Sequence, residues 1–153
     1  MRLAARVGHA TDRTEDLRIL LAMCSIAAGV IHAAVVPEHL EEEWVFGVFF
    51  ILTAGLQIAW ALPVVFRPSS SVYAIGAVAN GASIGIWVVS RTTGLPFGPH
   101  AWMPEAVRTP DVTATMFELL LVVGSLVLVR RRMPTDSYEG QPLGPGREDQ
   151  PCV

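Results

Sequence analysis

This chain of 153 residues is 52% hydrophobic and 16% charged, with a mean hydropathy of +0.45. That balance argues against a soluble protein, because it is typical of a chain surrounded mainly by hydrocarbon. The formal net charge of −3 excludes little, since a membrane sorts charges by side and their distribution matters more than their sum.

Four uninterrupted apolar stretches predict four transmembrane helices, because each is about as long as the hydrocarbon core of a bilayer requires. The stretches cover residues 19–36, 45–66, 72–89 and 112–129. The predicted fold class is therefore an all-α membrane protein with a four-helix transmembrane bundle. We interpret the first stretch as a retained span and not a cleaved signal peptide, since it is longer than the usual apolar core of a signal.

The rest of the chain divides around these spans. Residues 1–18 are predicted to be a cytoplasmic N-terminal segment, and residues 19–132 form the four-span domain. Residues 133–153 are predicted to be a disordered cytoplasmic tail, because their mixture of Pro, Gly and charged residues cannot bury enough apolar surface to fold alone.

The arginines predict the orientation of the bundle. All eleven basic residues are Arg, and nine of them lie before the first span, between the second and third spans, or after the fourth. Only Arg91 and Arg108 lie on the opposite side. The positive-inside rule therefore places both termini in the cytoplasm.

Two residues within the spans carry side chains that titrate near neutral pH, His32 and Glu118. Glu118 lies about 10 Å below the outer boundary at 1.5 Å per residue, where a charged carboxylate costs about 2.5 to 3.5 kcal/mol. His32 lies about one helical turn shallower, within reach of the Glu118 side chain. The pair is interpreted either as a hydrogen bond that holds spans one and four together or as part of a functional site.

Further histidines and carboxylates lie in the two segments expected outside the cell. Pro37 is suited to the first turn of a helix, in which His39 and Glu43 would share one face at a spacing used by metal ligands. The alternative is a solvated acidic turn whose glutamates complement the dipole of the following helix. The predicted site binds zinc or copper(II), because imidazole nitrogen with carboxylate oxygen suits these metals. Its candidate ligands are His32, Glu38, His39, Glu43, His100 and Glu118.

Two features predict how the helices pack. Gln57 and Asn80 lie near the centres of their spans, where an interhelical hydrogen bond is the usual way to satisfy an amide in hydrocarbon. Small residues in span three lie at four-residue spacing and match a strip formed by Ser25 and Gly29 in span one. Spans one and three are therefore predicted to be close neighbours.

The run from Gly29 to Trp60 contains His32, the sequence Pro37-Glu38-His39, Glu43-Trp44, Phe49-Phe50 and Gln57. Together with Asn80, the Gly94-Leu95-Pro96 turn and Glu118, it resembles small four-helix integral membrane proteins of actinobacteria that have no assigned function. The resemblance covers most of the spans but not the tail. It implies a location in the bacterial plasma membrane and transfers no activity.

Three functions remain open on the sequence. The first is an extracytoplasmic His/Glu site for a divalent transition metal, and the second is a non-catalytic accessory or assembly subunit of a membrane complex. The third is a small proton-coupled transporter that acts as an oligomer with Glu118 as the carrier. The expected partners are the lipid bilayer and either a second copy or a membrane-complex subunit, with no nucleic acid. No catalytic signature stands out, so no catalytic residue and no organic cofactor site is predicted.

Overall fold

The computed structural model describes the backbone of residues 2–132 and the side chains of residues 13–132. The described chain forms four helices, α1 (Arg2–Glu42), α2 (Trp44–Phe66), α3 (Ser70–Thr92) and α4 (Thr109–Arg132). Each helix is long and apolar enough to cross a membrane. An all-helical chain with four candidate membrane spans is therefore confirmed for the described residues, whereas the predicted disordered tail at 133–153 lies outside them.

Helix α1 differs most from its predicted span. It begins at Arg2 and continues through Pro37 to Glu42, so the prediction that Pro37 lies in the first turn of a separate helix is wrong. Proline removes one backbone hydrogen bond, but the single turn of helix that follows keeps its other bonds, such as Glu43 N to His39 O at 3.0 Å. Glu43 itself is extended, with φ −160° and ψ 123°, and separates α1 from α2.

The helices pack in the order α2, α1, α4, α3, and the contact between α2 and α3 is slight. Among the described residues, the backbones of α1 and α3 do not approach each other closely, so the prediction that spans one and three are close neighbours is wrong. The small strip on α1 packs on α2 instead, where the Ser25 hydroxyl donates to the Gln57 carbonyl oxygen at 2.7 Å. In contrast, Gly81 and Gly85 on α3 have open space where a Cβ atom would lie.

We expect Gly29→Ala to lower thermal stability in detergent, with a cost of about 1 to 3 kcal/mol from overpacking. A Cβ atom at Gly29 would lie 2.8 Å from the Ile58 Cγ1 atom and 3.0 Å from the Ala54 carbonyl oxygen. The matched control is Gly81→Ala, which meets no atom within 4 Å and replaces glycine with a better helix former. Equal melting temperatures for the two variants would contradict the observed contact between α1 and α2.

Two arginines, one on α1 and one on α4, bind backbone carbonyl groups at the C-terminal end of α2 and just beyond it. Arg18 Nε donates to the Val64 carbonyl oxygen at 3.1 Å, and its guanidinium also donates to Val65 O. Arg132 donates to Pro68 O at 2.9 Å. Carbonyl groups at the end of a helix lack intrahelical donors and carry partial negative charge, so cationic donors stabilise this end.

Candidate functional site

Five polar side chains meet inside the bundle, and every helix contributes at least one. The Glu118 Oε1 atom lies 3.0 Å from His32 Nε2 and accepts hydrogen bonds from Gln57 Nε2 at 3.0 Å and from Ser83 Oγ at 2.6 Å. Gln57 Nε2 also donates to Asn80 Oδ1 at 3.1 Å. We call His32, Gln57, Asn80, Ser83 and Glu118 the polar cluster.

Four members of the polar cluster are almost completely enclosed by protein, and Ser83 is half-buried. Glu118 is 1% exposed, Asn80 is 4% exposed, and His32 and Gln57 are each 7% exposed. Buried polar groups at this depth are stabilised when they bond to one another, because hydrocarbon offers them no other partner. The predicted pairing of His32 with Glu118 is confirmed. Gln57 and Asn80 were each predicted to form an interhelical hydrogen bond, and this is confirmed, with each other as partners.

Helical periodicity explains why these side chains point inward. On α4, Glu118 belongs to a buried face whose members recur every three or four residues: Ala114, Glu118, Leu121, Ser125 and Leu128. On α1, the equivalent face contains Leu21, Ser25, Ala28 and His32. Ser83 follows Asn80 by three residues on α3, which places both hydroxyl and amide on the side of α3 that meets the cluster.

A cavity of about 300 Å³ extends from the polar cluster toward the connection between α3 and α4. Its inner end is lined by His32, Ser83 and Glu118, and its outer end by Arg91 and Asp111. These two levels are about two helical turns apart, or about 11 Å. The walls are largely aromatic and aliphatic, and their aromatic members are Phe46, Phe49, Phe50, Trp87 and Phe97. We call this space the outer cavity.

The outer end of this cavity is held by an arginine with two carboxylate partners. Arg91 donates to Glu105 in the connection and to Asp111 on α4, with its Nη2 atom 2.6 Å from Asp111 Oδ2. The Arg91 side chain is 12% exposed. The Glu105 N–H also donates to Ser90 O at 3.0 Å, so the connection is fixed against the end of α3.

Glycine permits the tight path of this connection. Gly94 has φ +75°, and a Cβ atom there would collide with the Met103 backbone. The close approach allows residues of the connection to fold back, with Trp102 N donating to Leu95 O at 2.8 Å. Leu95 and Glu105 thereby line the outer cavity.

Three of the six predicted metal ligands line the outer cavity: His32, His39 and Glu118. His39 Nδ1 donates to the Val35 carbonyl oxygen at 2.9 Å, which leaves Nε2 outside that bond. The His39 ring also packs against Phe50, with ring centroids 4.2 Å apart. His39 is therefore held on the same cavity as His32, two turns farther along α1.

The other three predicted ligands lie in separate places. Glu38 pairs with Arg108, and the hydrogen bond and charge of Glu38 raise the pKa of that guanidinium above its ordinary value. Glu43 lies in the break between α1 and α2, and the His100 Nδ1 atom is 3.8 Å from Glu42 Oε1 at the surface. Within residues 13–132, no group of three or more His, Cys, Asp or Glu side chains has a metal-binding arrangement. The metal site therefore stays a prediction that this geometry does not support.

A second, shallower cleft of about 440 Å³ lies between α2 and α3. It is lined by residues of both helices, including Leu56, Trp60 and Ile75. Phe49, Ser83 and Ile86 line both this cleft and the outer cavity, so the two spaces adjoin. The weak contact between α2 and α3 accounts for this lateral gap.

Sequence reasoning missed Ser83 and the group formed by Arg91, Glu105 and Asp111. Serine is tolerated in membrane helices without a polar side-chain partner, so Ser83 alone gave only a weak signal. Its position three residues after Asn80, on the same face of the helix, was the one sequence feature that could have identified it.

No protein-family model matches this chain, and comparisons with curated proteins and with solved structures find no significant match.

Proposed function

We propose that this chain is a membrane protein that binds a small molecule in the outer cavity, with the polar cluster as the group that orients it. The observation that carries the proposal is the position of the buried His32 and Glu118 pair at the end of an aromatic-lined cavity of about 300 Å³. Small-molecule sites are typically apolar clefts of about 300 to 1,000 Å³ with a few well-placed polar groups. A cluster that only joined the helices would require no adjoining cavity.

The hydrogen bonds within the cluster support a role in recognition. All three side chains that meet the Glu118 carboxylate do so at Oε1, and none of these bonds uses Oε2. Trp87 also lines the cavity, and its buried Nε1 donor has no acceptor among the described residues. A ligand with an apolar body and a hydrogen-bonding group fits this lining.

The cavity opens on the outer side of a bacterial plasma membrane in this proposal, and both termini are cytoplasmic. The arginine distribution supports the orientation, because Arg18, Arg67 and Arg132 lie at the opposite end of the bundle from Arg91 and Arg108. The resemblance to actinobacterial membrane proteins supports the location.

The orientation predicts opposite labelling of two exposed positions. In a background with Cys152 replaced by serine, Ala101→Cys will react with an impermeant thiol reagent in intact cells, and Ser70→Cys will react only after lysis. Both native side chains are exposed, so accessibility within the protein does not distinguish them. Labelling of Ser70→Cys alone in intact cells would place the outer cavity on the cytoplasmic side.

An accessory-subunit role is the second candidate. Its supporting observation is that the polar cluster draws at least one residue from each of the four helices, which fixes their packing without any ligand. Binding measurements separate the two candidates, because only the first requires the outer cavity to be accessible.

We expect phenylbutanol to bind the wild-type protein in nanodiscs of neutral lipid and to bind Ala114→Phe at least tenfold more weakly. Ala114 lines the outer cavity one turn from Glu118, so a phenyl ring there fills the space that the probe needs. The matched control is Ala74→Phe, an equal enlargement at an exposed position of α3 that lines neither space. Equal probe affinity in all three proteins, measured by calorimetry, would leave the accessory-subunit candidate as the better one.

A further inference from the structure

The charges on the outer cavity are unbalanced. Its charged and titratable lining residues are His32 and His39 from α1, none from α2, Arg91 from α3, Glu105 from the connection, and Asp111 and Glu118 from α4. With neutral histidines, three carboxylates therefore face one guanidinium, a net formal charge of −2. A cavity of low polarity strengthens the effect of this excess on a bound charge, because solvent screens it poorly.

Arg91 is the single arginine among the described residues that line the cavity, and it is already engaged at the outer end. Arg91 donates to both Glu105 and Asp111, so its charge is shared between two carboxylates. Glu118 lies two turns deeper, with His32 Nε2 3.0 Å from its Oε1 atom, and the amide of Gln57 and the hydroxyl of Ser83 that donate to it carry no charge. The formal negative charge of this carboxylate therefore lacks an arginine partner among the described residues that line the cavity.

The aromatic walls favour the same sign of ligand charge. Phe50 lies between the two histidines, with its ring centroid 5.5 Å from that of His32 and 4.2 Å from that of His39. Phe49 and Trp87 complete the wall near the inner end. The faces of such rings attract cations, and this attraction strengthens when the cation is desolvated.

We propose that the ligand is a hydrophobic cation, a protonated amine on an aromatic or aliphatic body, with its ammonium group at Glu118. This inference rests on the proposed function, because it assigns a chemical class to the ligand of the same cavity. The ammonium donates to the Glu118 carboxylate while the body packs against the aromatic wall. The cleft between α2 and α3 adjoins the cavity, and exposed apolar side chains such as Leu56 and Ile75 line it. A ligand that partitions into lipid could enter the cavity through this cleft.

The test compares phenylbutylamine with phenylbutanol, which has nearly the same size and shape but no charge. In nanodiscs of neutral lipid at pH 7, we expect the wild-type protein to bind the amine at least tenfold more tightly than the alcohol. Glu118→Gln keeps a side chain of the same shape and removes the charge, so this variant should bind the amine no more tightly than the alcohol. Ala114→Phe, which fills the cavity, should bind both probes at least tenfold more weakly than the wild-type protein.

The two probes distinguish a wrong ligand charge from the absence of a small-molecule site. Equal affinity of the wild-type protein for both probes, with both lost in Ala114→Phe, would overturn the cation assignment and leave the small-molecule site intact. Absence of binding by either probe would overturn both proposals. The comparison of probes on the wild-type protein stands even where Glu118→Gln does not fold, and an amine preference that persists in a folded Glu118→Gln protein would assign the charge recognition to another carboxylate.

Discussion

Replacement of Glu118 by alanine is expected to lower the free energy of unfolding by about 2 to 4 kcal/mol. Glu118 Oε1 is the shared partner of His32, Gln57 and Ser83, so its removal leaves polar groups of three other helices buried without that acceptor. A buried donor without a partner costs about 1 to 3 kcal/mol, and the cost per bond is lower in membrane helices because alternative partners are found. The estimate therefore lies below the sum for three separate bonds.

Glu118→Gln is expected to cost much less than Glu118→Ala, because its amide oxygen remains able to accept from Gln57 and Ser83. The measurement is reversible unfolding in mixed micelles, followed by circular dichroism. Met116→Ala provides a control on the same helix, since Met116 is exposed and its truncation removes no polar contact. A Glu118→Ala protein as stable as Met116→Ala would contradict a stabilising role for the polar cluster.

Replacement of Arg91 by glutamine is expected to lower the free energy of unfolding by about 2 to 3 kcal/mol. Removal of one partner from a buried ion pair costs about 3 to 5 kcal/mol, and we reduce this range because the Glu105 side chain is 39% exposed. The substitution leaves Asp111 and Glu105 without their cationic donor. The connection between α3 and α4 should then detach from the end of α3.

Arg108→Gln is the matched control, because Arg108 also pairs with a carboxylate but both partners are largely exposed. Exposed pairs contribute little, so its melting temperature should equal that of the wild-type protein within error. Hydrogen exchange gives a local readout, with faster exchange of the Glu105 amide expected in Arg91→Gln alone. Equal effects of the two substitutions would contradict a special role for the buried arginine.

The interior of the bundle was more predictable than its outer surface. His32, Gln57, Asn80 and Glu118 stand out in apolar stretches, and hydrocarbon requires such groups to find one another. The pairing of His32 with Glu118 followed from this requirement and from the similar depths of the two residues, whereas for Gln57 and Asn80 only an interhelical hydrogen bond, and not its partner, was predictable. At the outer end, Glu38 and His100 are exposed to solvent, which imposes no such requirement, and their observed partners are Arg108 and Glu42.

Helix order was not predictable from small residues. Small residues such as Ser25 and Gly29 on α1 and the glycines of α3 allow another helix to approach closely, but they do not determine which helix it is. In the structure, Gly29 meets Ile58 and Ala54 on α2, whereas Gly81 and Gly85 meet nothing within 4 Å. The outer cavity was also inaccessible to sequence reasoning, since its walls come from all four helices and from the connection between α3 and α4.

The most direct test of a binding site beside the polar cluster is to locate a bromine-labelled phenylbutanol in crystals of the protein by its anomalous scattering. We predict one strong bromine peak in the outer cavity, near Phe50 and Trp87, in crystals of the wild-type protein and none there in Ala114→Phe. Bromine found only in the lipid or detergent belt of both crystals would contradict a small-molecule site next to Glu118.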